Sequence, residues 1–181
     1  MSVFTAQRTR LLTCLLIGAL ALSACSARFP GQLPSAPLWL NLTPDQLAAR
    51  EEGALYGRGK AEGLKRISHR RAVAESNAIA DLRARFERRL ISLMQSGNSG
   101  ERPVVPPQEL SAVREMLKHL SWAQAARVEQ RYFDAERNTQ HALARLTINE
   151  LERALSLDPS EPTVKAVLLE YARLTFKSLR P

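Results

Sequence analysis

The sequence predicts an α+β domain: a small antiparallel sheet, made of one early strand and a later hairpin, packed against a long amphipathic helix, with additional C-terminal helices. Three observations carry that reading. A run after Ser68 repeats apolar residues at steps of three and four, the signature of a long helix with one buried stripe. Two runs flanking Arg137-Asn138 alternate with period two, the signature of a hairpin. A glycine-interrupted run from Ala54 to Ala61 supplies one more strand ahead of the helix. The order strand, long helix, helix, two strands, helix, helix suits a layered α+β domain.

In chain order, the first segment is residues 1–24. Arg8 and Arg10 precede an apolar run from Leu11 to Leu22, which is too short to read as a spanning helix and reads as a signal peptide. Leu22-Ser23-Ala24-Cys25 closes it. An ordinary secretory cut needs small residues and no cysteine. Here the pattern aliphatic, small, small, Cys resembles the lipobox of bacterial lipoproteins. That resemblance implies cleavage between Ala24 and Cys25, a diacylglycerol on the Cys25 thiol and an acyl chain such as palmitate on the new amine. No other cofactor is expected. Cys14 leaves with the signal, so the remaining 157 residues hold no disulfide. Ser26 follows the cysteine where an aspartate commonly retains such proteins in the inner membrane, so the outer membrane is the expected location.

Residues 25–37 read as an acylated, Pro-rich tether. SARFPGQLPSAP has three prolines and a glycine, resists helix formation and reaches roughly 35 to 40 Å when extended. Residues 38–181 are then a single domain, long enough to bury a core without staples.

Leu38-Trp39-Leu40 opens that domain, with Trp39 expected in the core. Thr43, Pro44 and Gln46 predict a capping box and a short helix. In the strand that follows, Leu55, Gly57, Gly59 and Ala61 form a smooth face over which a helix can cross closely. The long helix carries Ala72, Ser76, Ile79, Leu82, Phe86, Leu90 and Leu93 as its inner stripe, with Arg70, Arg71, Asp81, Arg85 and Arg88 facing water. It ends near Gln95, before SGNSGERPVVPP. A helix from about Pro107 buries Leu110, Val113, Leu117 and Leu120. Trp122 covers the sheet edge. In the hairpin, Ala126, Val128 and Tyr132 share one face with Ala142, Ala144, Leu146 and Ile148. Thr147 and Glu150 form a second capping box, and Leu151, Ala154, Leu155 and Leu157 face inward from the helix it starts. A last helix begins at Ser160, burying Val164, Val167, Leu168, Tyr171 and Leu174.

The chain is basic, with a formal net charge of +8, which falls to +6 without Arg8 and Arg10. A lipid-anchored envelope protein meets no chromosome, so nucleic acid is not an expected partner, and anionic envelope components are. Arg83, Arg85, Arg88 and Arg89 on the long helix are the candidate site for such an anion or for a protein partner.

Catalytic and nucleotide chemistry find little support. Gly53 and Gly59 have five residues between them where a phosphate loop has four, and Ala61 stands where magnesium needs a hydroxyl. Gly57, Gly59 and Gly63 miss the dinucleotide spacing by one. His69, His119 and His141 form no ligand pair, and the arginines beside His69 repel a cation. Ser99 lies between glycines without the flanking strand and helix of a nucleophile elbow. Glu51, Glu52, Glu75, Asp81, Glu87, Glu129 and Asp134 have basic neighbours and read as surface ion pairs. The protein is expected not to be an enzyme.

Four segments together resemble one family. They are Pro37-Leu38-Trp39, Leu55-Tyr56-Gly57-Arg58-Gly59, the helix with Ala72, Ala78, Ala80 and Arg83, and Ala142-Leu143-Ala144-Arg145-Leu146. Their order is similar to that of the LPP-twenty type of outer-membrane lipoproteins. Tyr132, Arg137-Asn138 and Thr147 depart from the family pattern, where Trp, Asp-Gly and Asp are usual. The resemblance implies an α+β domain with a helix laid over an antiparallel sheet and offers no catalytic residues. Some members are similar to flagellum-associated proteins that assemble into discs. The expected role is structural or scaffolding, by self-association or by binding an envelope protein. The alternative is a binding module for a lipid head group, lipopolysaccharide or cell-wall polymer through the arginine-rich helix face.

Overall fold

The computed structural model describes residues 36–51, 53–96 and 105–179. The expected signal peptide, nearly all of the tether, Ala24, Cys25 and Ser99 lie outside them.

A 3-10 turn at Leu38–Leu40 precedes helix α1 (Pro44–Arg50). The predicted capping box is present in full: the Thr43 hydroxyl accepts the Gln46 amide and the Gln46 side chain accepts the Thr43 amide. Strand β1 (Ala54–Glu62) leads to the long helix α2 (Ile67–Ser96). Helices α3 (Pro107–His119) and α4 (Trp122–Ala125) come next. Strands β2 (Arg127–Asp134) and β3 (Thr139–Thr147) form the hairpin, and helices α5 (Ile148–Leu157) and α6 (Pro162–Lys177) close the domain. The sheet is antiparallel with order β1-β3-β2, so the fold is α+β as predicted.

The glycine-lined face of β1 receives α2. A β-carbon on Gly57 would strike the Ala78 carbonyl and the Leu82 amide, and one on Gly59 would strike the backbone of Ala74, Asn77 and Ala78. Only hydrogen fits there.

The buried line of α2 differs from the predicted stripe at both ends. It runs Arg70, Ala74, Ala78, Leu82, Phe86, Leu90, Met94, at a constant step of four. Each such step overshoots a full turn by about 40°, so the buried line winds around the helix. Ala74 and Ala78 face the sheet, whereas Phe86 meets Trp122 edge to face at 5.8 Å and Phe176 at 6.1 Å. Ala72 and Ser76 are therefore exposed, and Ile79 and Leu93 are half-buried. Trp122 does not cap the sheet edge; it packs on Phe86 and donates its indole N–H to the Leu117 carbonyl at 3.0 Å.

Arg70, expected in water, is buried. Its guanidinium donates to the Asn138 carbonyl at 3.1 Å and to the Asn138 side chain, and lies 4.5 Å from the centre of the Phe133 ring. The helix start is thereby fastened to the hairpin tip.

The hairpin loop has four residues, 135–138. Asn138 adopts a left-handed φ of 49°, and the Asp134 carboxylate accepts the amides of Glu136 and Arg137 at 3.1 Å each. A bulge at Glu129 breaks the predicted parity. Val128 pairs with Ala144 on the α2 face, but Tyr132 pairs with His141 on the opposite face. Ile148 falls at the start of α5. Leu157 is exposed at the helix end, and α6 begins at Pro162 rather than Ser160 because proline suits a first helical position. Ala172, Thr175 and Phe176 join the predicted Leu168 and Tyr171 in the core, while Val164, Val167 and Leu174 stay half-buried.

Core residues run from Trp39 to Leu179, and Ala36–Pro181 is one contact unit. These residues carry a hydrophobic core of their own, the physical requirement for folding without what precedes them.

Candidate functional site

The four arginines proposed from the sequence do not converge. Arg83 and Arg85 sit two positions apart on α2, on sides about 200° from each other. Arg83 donates to Glu87 at 2.7 Å and lies 5.8 Å from the centre of the Trp122 ring. Arg85 donates to Asp81 at 3.0 Å, and Arg89 reaches Asp45 of α1 at 2.8 Å. These contacts tie the helix to its own turns and to α1. Arg88 is exposed and has no acidic partner among the described residues.

The carboxylates read as surface pairs divide into two groups. Glu75 and Glu87 are paired with Arg131 and Arg83 as expected. Asp81 and Asp134 accept backbone amides as well, Asp81 from Arg58 of β1 beside its pair with Arg85 and Asp134 from the hairpin loop with Arg137 3.9 Å away.

A cleft of about 250 Å³ lies where residues 37–50 cross the face of the sheet opposite α2. Arg58 fixes this crossing by donating to the carbonyls of Leu40 and Leu42 at 2.8 Å each. Trp39, Leu42, Leu47, Tyr56, Glu129 and Leu143 are among its walls. Tyr56 donates its hydroxyl proton to Glu51. Burial, and then that carboxylate, push the phenol far above its ordinary pKa, so Tyr56 is a fixed donor and no base.

Beside the cleft, Arg145 sits among three carboxylates, 3.8 Å from Glu51, 3.8 Å from Glu129 and 3.9 Å from Glu150. Two of the three are committed elsewhere: Glu51 accepts from Tyr56, and Glu150 accepts from the Thr147 amide and hydroxyl in the second predicted capping box. Trp39 Nε1, Glu129 Oε2 and Arg145 Nε are buried without a hydrogen-bond partner. None of these groups is a nucleophile poised beside a base. The cluster joins α1, β1, β2 and α5 electrostatically. Sequence reading missed it because its members come from three separate stretches, 51–56, 129 and 145–150; only the Thr147–Glu150 pair announces itself locally.

Among the described residues, no three His, Cys, Asp or Glu side chains come together as metal ligands, and no helix is long and apolar enough to cross a membrane.

The two edges of the sheet differ. At β1 the side chains of α2 satisfy the outward backbone: Asp81 accepts the Arg58 amide at 2.9 Å and Asn77 donates to the Lys60 carbonyl at 2.9 Å. At the other edge, β2 has no strand on its outer side among the described residues and exposes Arg127, Gln130, Arg131 and Phe133.

Compared with known proteins, the chain matches no protein-family model and no curated protein.

Proposed function

We propose that this chain is an outer-membrane lipoprotein with a structural or assembly role, anchored through acyl chains on Cys25. The observation that carries the reading is Leu22-Ser23-Ala24-Cys25 at the end of a short apolar run behind two arginines. The order of segments in the domain adds the resemblance to LPP-twenty-type lipoproteins, which belongs to the same proposal. The protein acts as a non-enzymatic component whose partner is a second copy or another envelope protein.

The mechanism is positional. Two or three acyl chains hold the protein on one leaflet, at about 0.8 kcal/mol per buried methylene. Confinement raises the effective concentration of neighbours, so weak contacts suffice for assembly. The β2 side of the sheet is the favoured contact region, because the β1 edge is already covered. The bulge at Glu129 and the charges of Arg127, Glu129, Arg131 and Asp134 disfavour an extended ladder between copies. Contacts there run through side chains rather than through a shared backbone ladder.

Two measurements test the reading. Metabolic labelling with palmitate marks the wild type and spares Cys25→Ala, which stays uncleaved; equal labelling of both sinks the anchor. The particle extracted in mild detergent, cross-linked and weighed, is a homo-oligomer or holds one reproducible partner. A bare monomer at physiological salt overturns the scaffolding role.

A further inference from the structure

We propose that the end of the domain formed by residues 63–71 and the β2–β3 loop is a docking surface for an anionic phospholipid bilayer. The inference is independent of the acyl anchor, because every residue it uses lies in the folded domain.

The two segments share one end of the sheet. Glu62, the last residue of β1, pairs with Thr139, the first residue of β3, so the loop leaving β1 lies beside the loop entering β3. Arg70 fixes the arrangement through its hydrogen bonds to Asn138 and its place against Phe133. That guanidinium is spent on structure and buried.

Its neighbours are not. Lys65, Arg66 and Arg71 are exposed, and no acidic side chain pairs with them among the described residues. Arg137, at the tip of the opposing loop, is 82% exposed, and its nearest carboxylate, Asp134, is 3.9 Å away and occupied by loop amides. No acidic residue occurs between Gly63 and Ala74. The acidic groups at this end are Glu62, held by Lys60 at 2.9 Å, Asp134 and Glu136. The balance is positive, and its cations are free to meet phosphates.

Ile67 decides between a bilayer and a soluble polyanion. It is 63% exposed, among the most exposed large apolar side chains described, and it sits between the cations. Ile67 and Arg71 are four residues apart and share one face of the first turn of α2. A soluble phosphate gains nothing from an isoleucine. A bilayer does: the side chain enters the boundary between head groups and acyl chains while the flanking cations stay with the phosphates.

The test uses residues 36–181 and sedimentation with vesicles. Wild type binds vesicles of mixed phosphatidylglycerol and phosphatidylcholine and leaves phosphatidylcholine vesicles alone. The triple variant Lys65→Gln, Arg66→Gln, Arg71→Gln loses on the order of 100-fold in partitioning. A control with equal charge loss elsewhere, Arg88→Gln, Arg114→Gln, Arg153→Gln, retains binding within a few-fold. Ile67→Ser weakens vesicle binding several-fold and leaves retention on a soluble polyphosphate unchanged. All substituted side chains are exposed, and each variant's melting curve checks that it folds. Absence of binding to the mixed vesicles at low salt overturns the proposal, as does a control that loses as much as the triple variant. Unchanged vesicle binding by Ile67→Ser overturns the bilayer in favour of a soluble polyanion.

Discussion

The backbone amide of Arg58 donates to the Asp81 carboxylate at 2.9 Å, so a helix side chain occupies the free edge of a strand. Asp81 also holds Arg85 at 3.0 Å. Asp81→Ala removes both partners and leaves a part-buried amide unsatisfied. The expected cost is about 1–3 kcal/mol, read from denaturant midpoints, with more light scattering on concentration because the β1 edge is uncovered. Asp81→Asn keeps an acceptor and recovers much of the loss.

Gly57 and Gly53 separate two reasons for glycine. At Gly57 a methyl group meets helix backbone, which cannot move aside, and Gly57→Ala costs on the order of 3 kcal/mol or more. At Gly53 nothing lies within 4 Å of an added β-carbon, but φ is +76°, and Gly53→Ala costs roughly 1 kcal/mol. Thermal melts of the two variants therefore rank Gly53→Ala well above Gly57→Ala. Equal melting temperatures contradict the close crossing of α2 on β1.

Arg70→Met removes two hydrogen bonds and the contact with Phe133, and is expected to cost about 2–3 kcal/mol. Amide exchange then accelerates first at Asn138 and Thr139, where the helix is fastened to the hairpin. Arg70→Lys rescues it only in part: both bonds to Asn138 leave one nitrogen, Nη1, which an ammonium with its three donors can imitate, but the shorter side chain loses the planar contact with Phe133. Protection unchanged at the hairpin tip counts against this role.

His141 gives the domain a pH dependence. Burial is the first cause that holds its pKa below the ordinary 6.5, and the cations Arg58 and Lys60 add to it while Asp134 and Glu62 oppose it. The unfolded chain then binds the proton more readily than the folded one. Stability is full above the unfolded value and declines as pH falls through the lower folded value. His141→Gln flattens the midpoint-versus-pH curve as pH falls below about 6.5. Parallel curves for the two proteins remove His141 as the cause.

What the sequence makes legible is local. Thr43 with Gln46 and Thr147 with Glu150 announce their helices because a capping box is closed within four residues. Gly57 and Gly59 announce a close crossing because two glycines on one strand face leave few other uses for that face. Arg70 looks like a solvated residue because its partner, Asn138, is 68 positions away. Ala74 and Ala78 are hidden among other alanines, and only the winding of a step-four line selects them. The bulge at Glu129 has no sequence mark, so the parity of β2 fails from that residue onward. The candidate arginines fail for a similar reason: closeness in sequence on a helix is not a shared direction, and Arg83 and Arg85 point apart.

The placement of β3 between β1 and β2 also dictates an order of events. Among the described residues β1 pairs with β3 alone, and its partners lie 77 to 93 positions further along the chain. Closing so long a loop is slow compared with forming the β2–β3 hairpin, which needs only four loop residues. During synthesis β1 and the whole of α2 emerge while their partners are still unmade. Through that interval Phe86 lacks Trp122 and Phe176, the rings it packs against in the finished domain. A nascent chain halted before Thr139 has no sheet at all, so the last quarter of the protein decides whether the earlier part ever becomes insoluble or native.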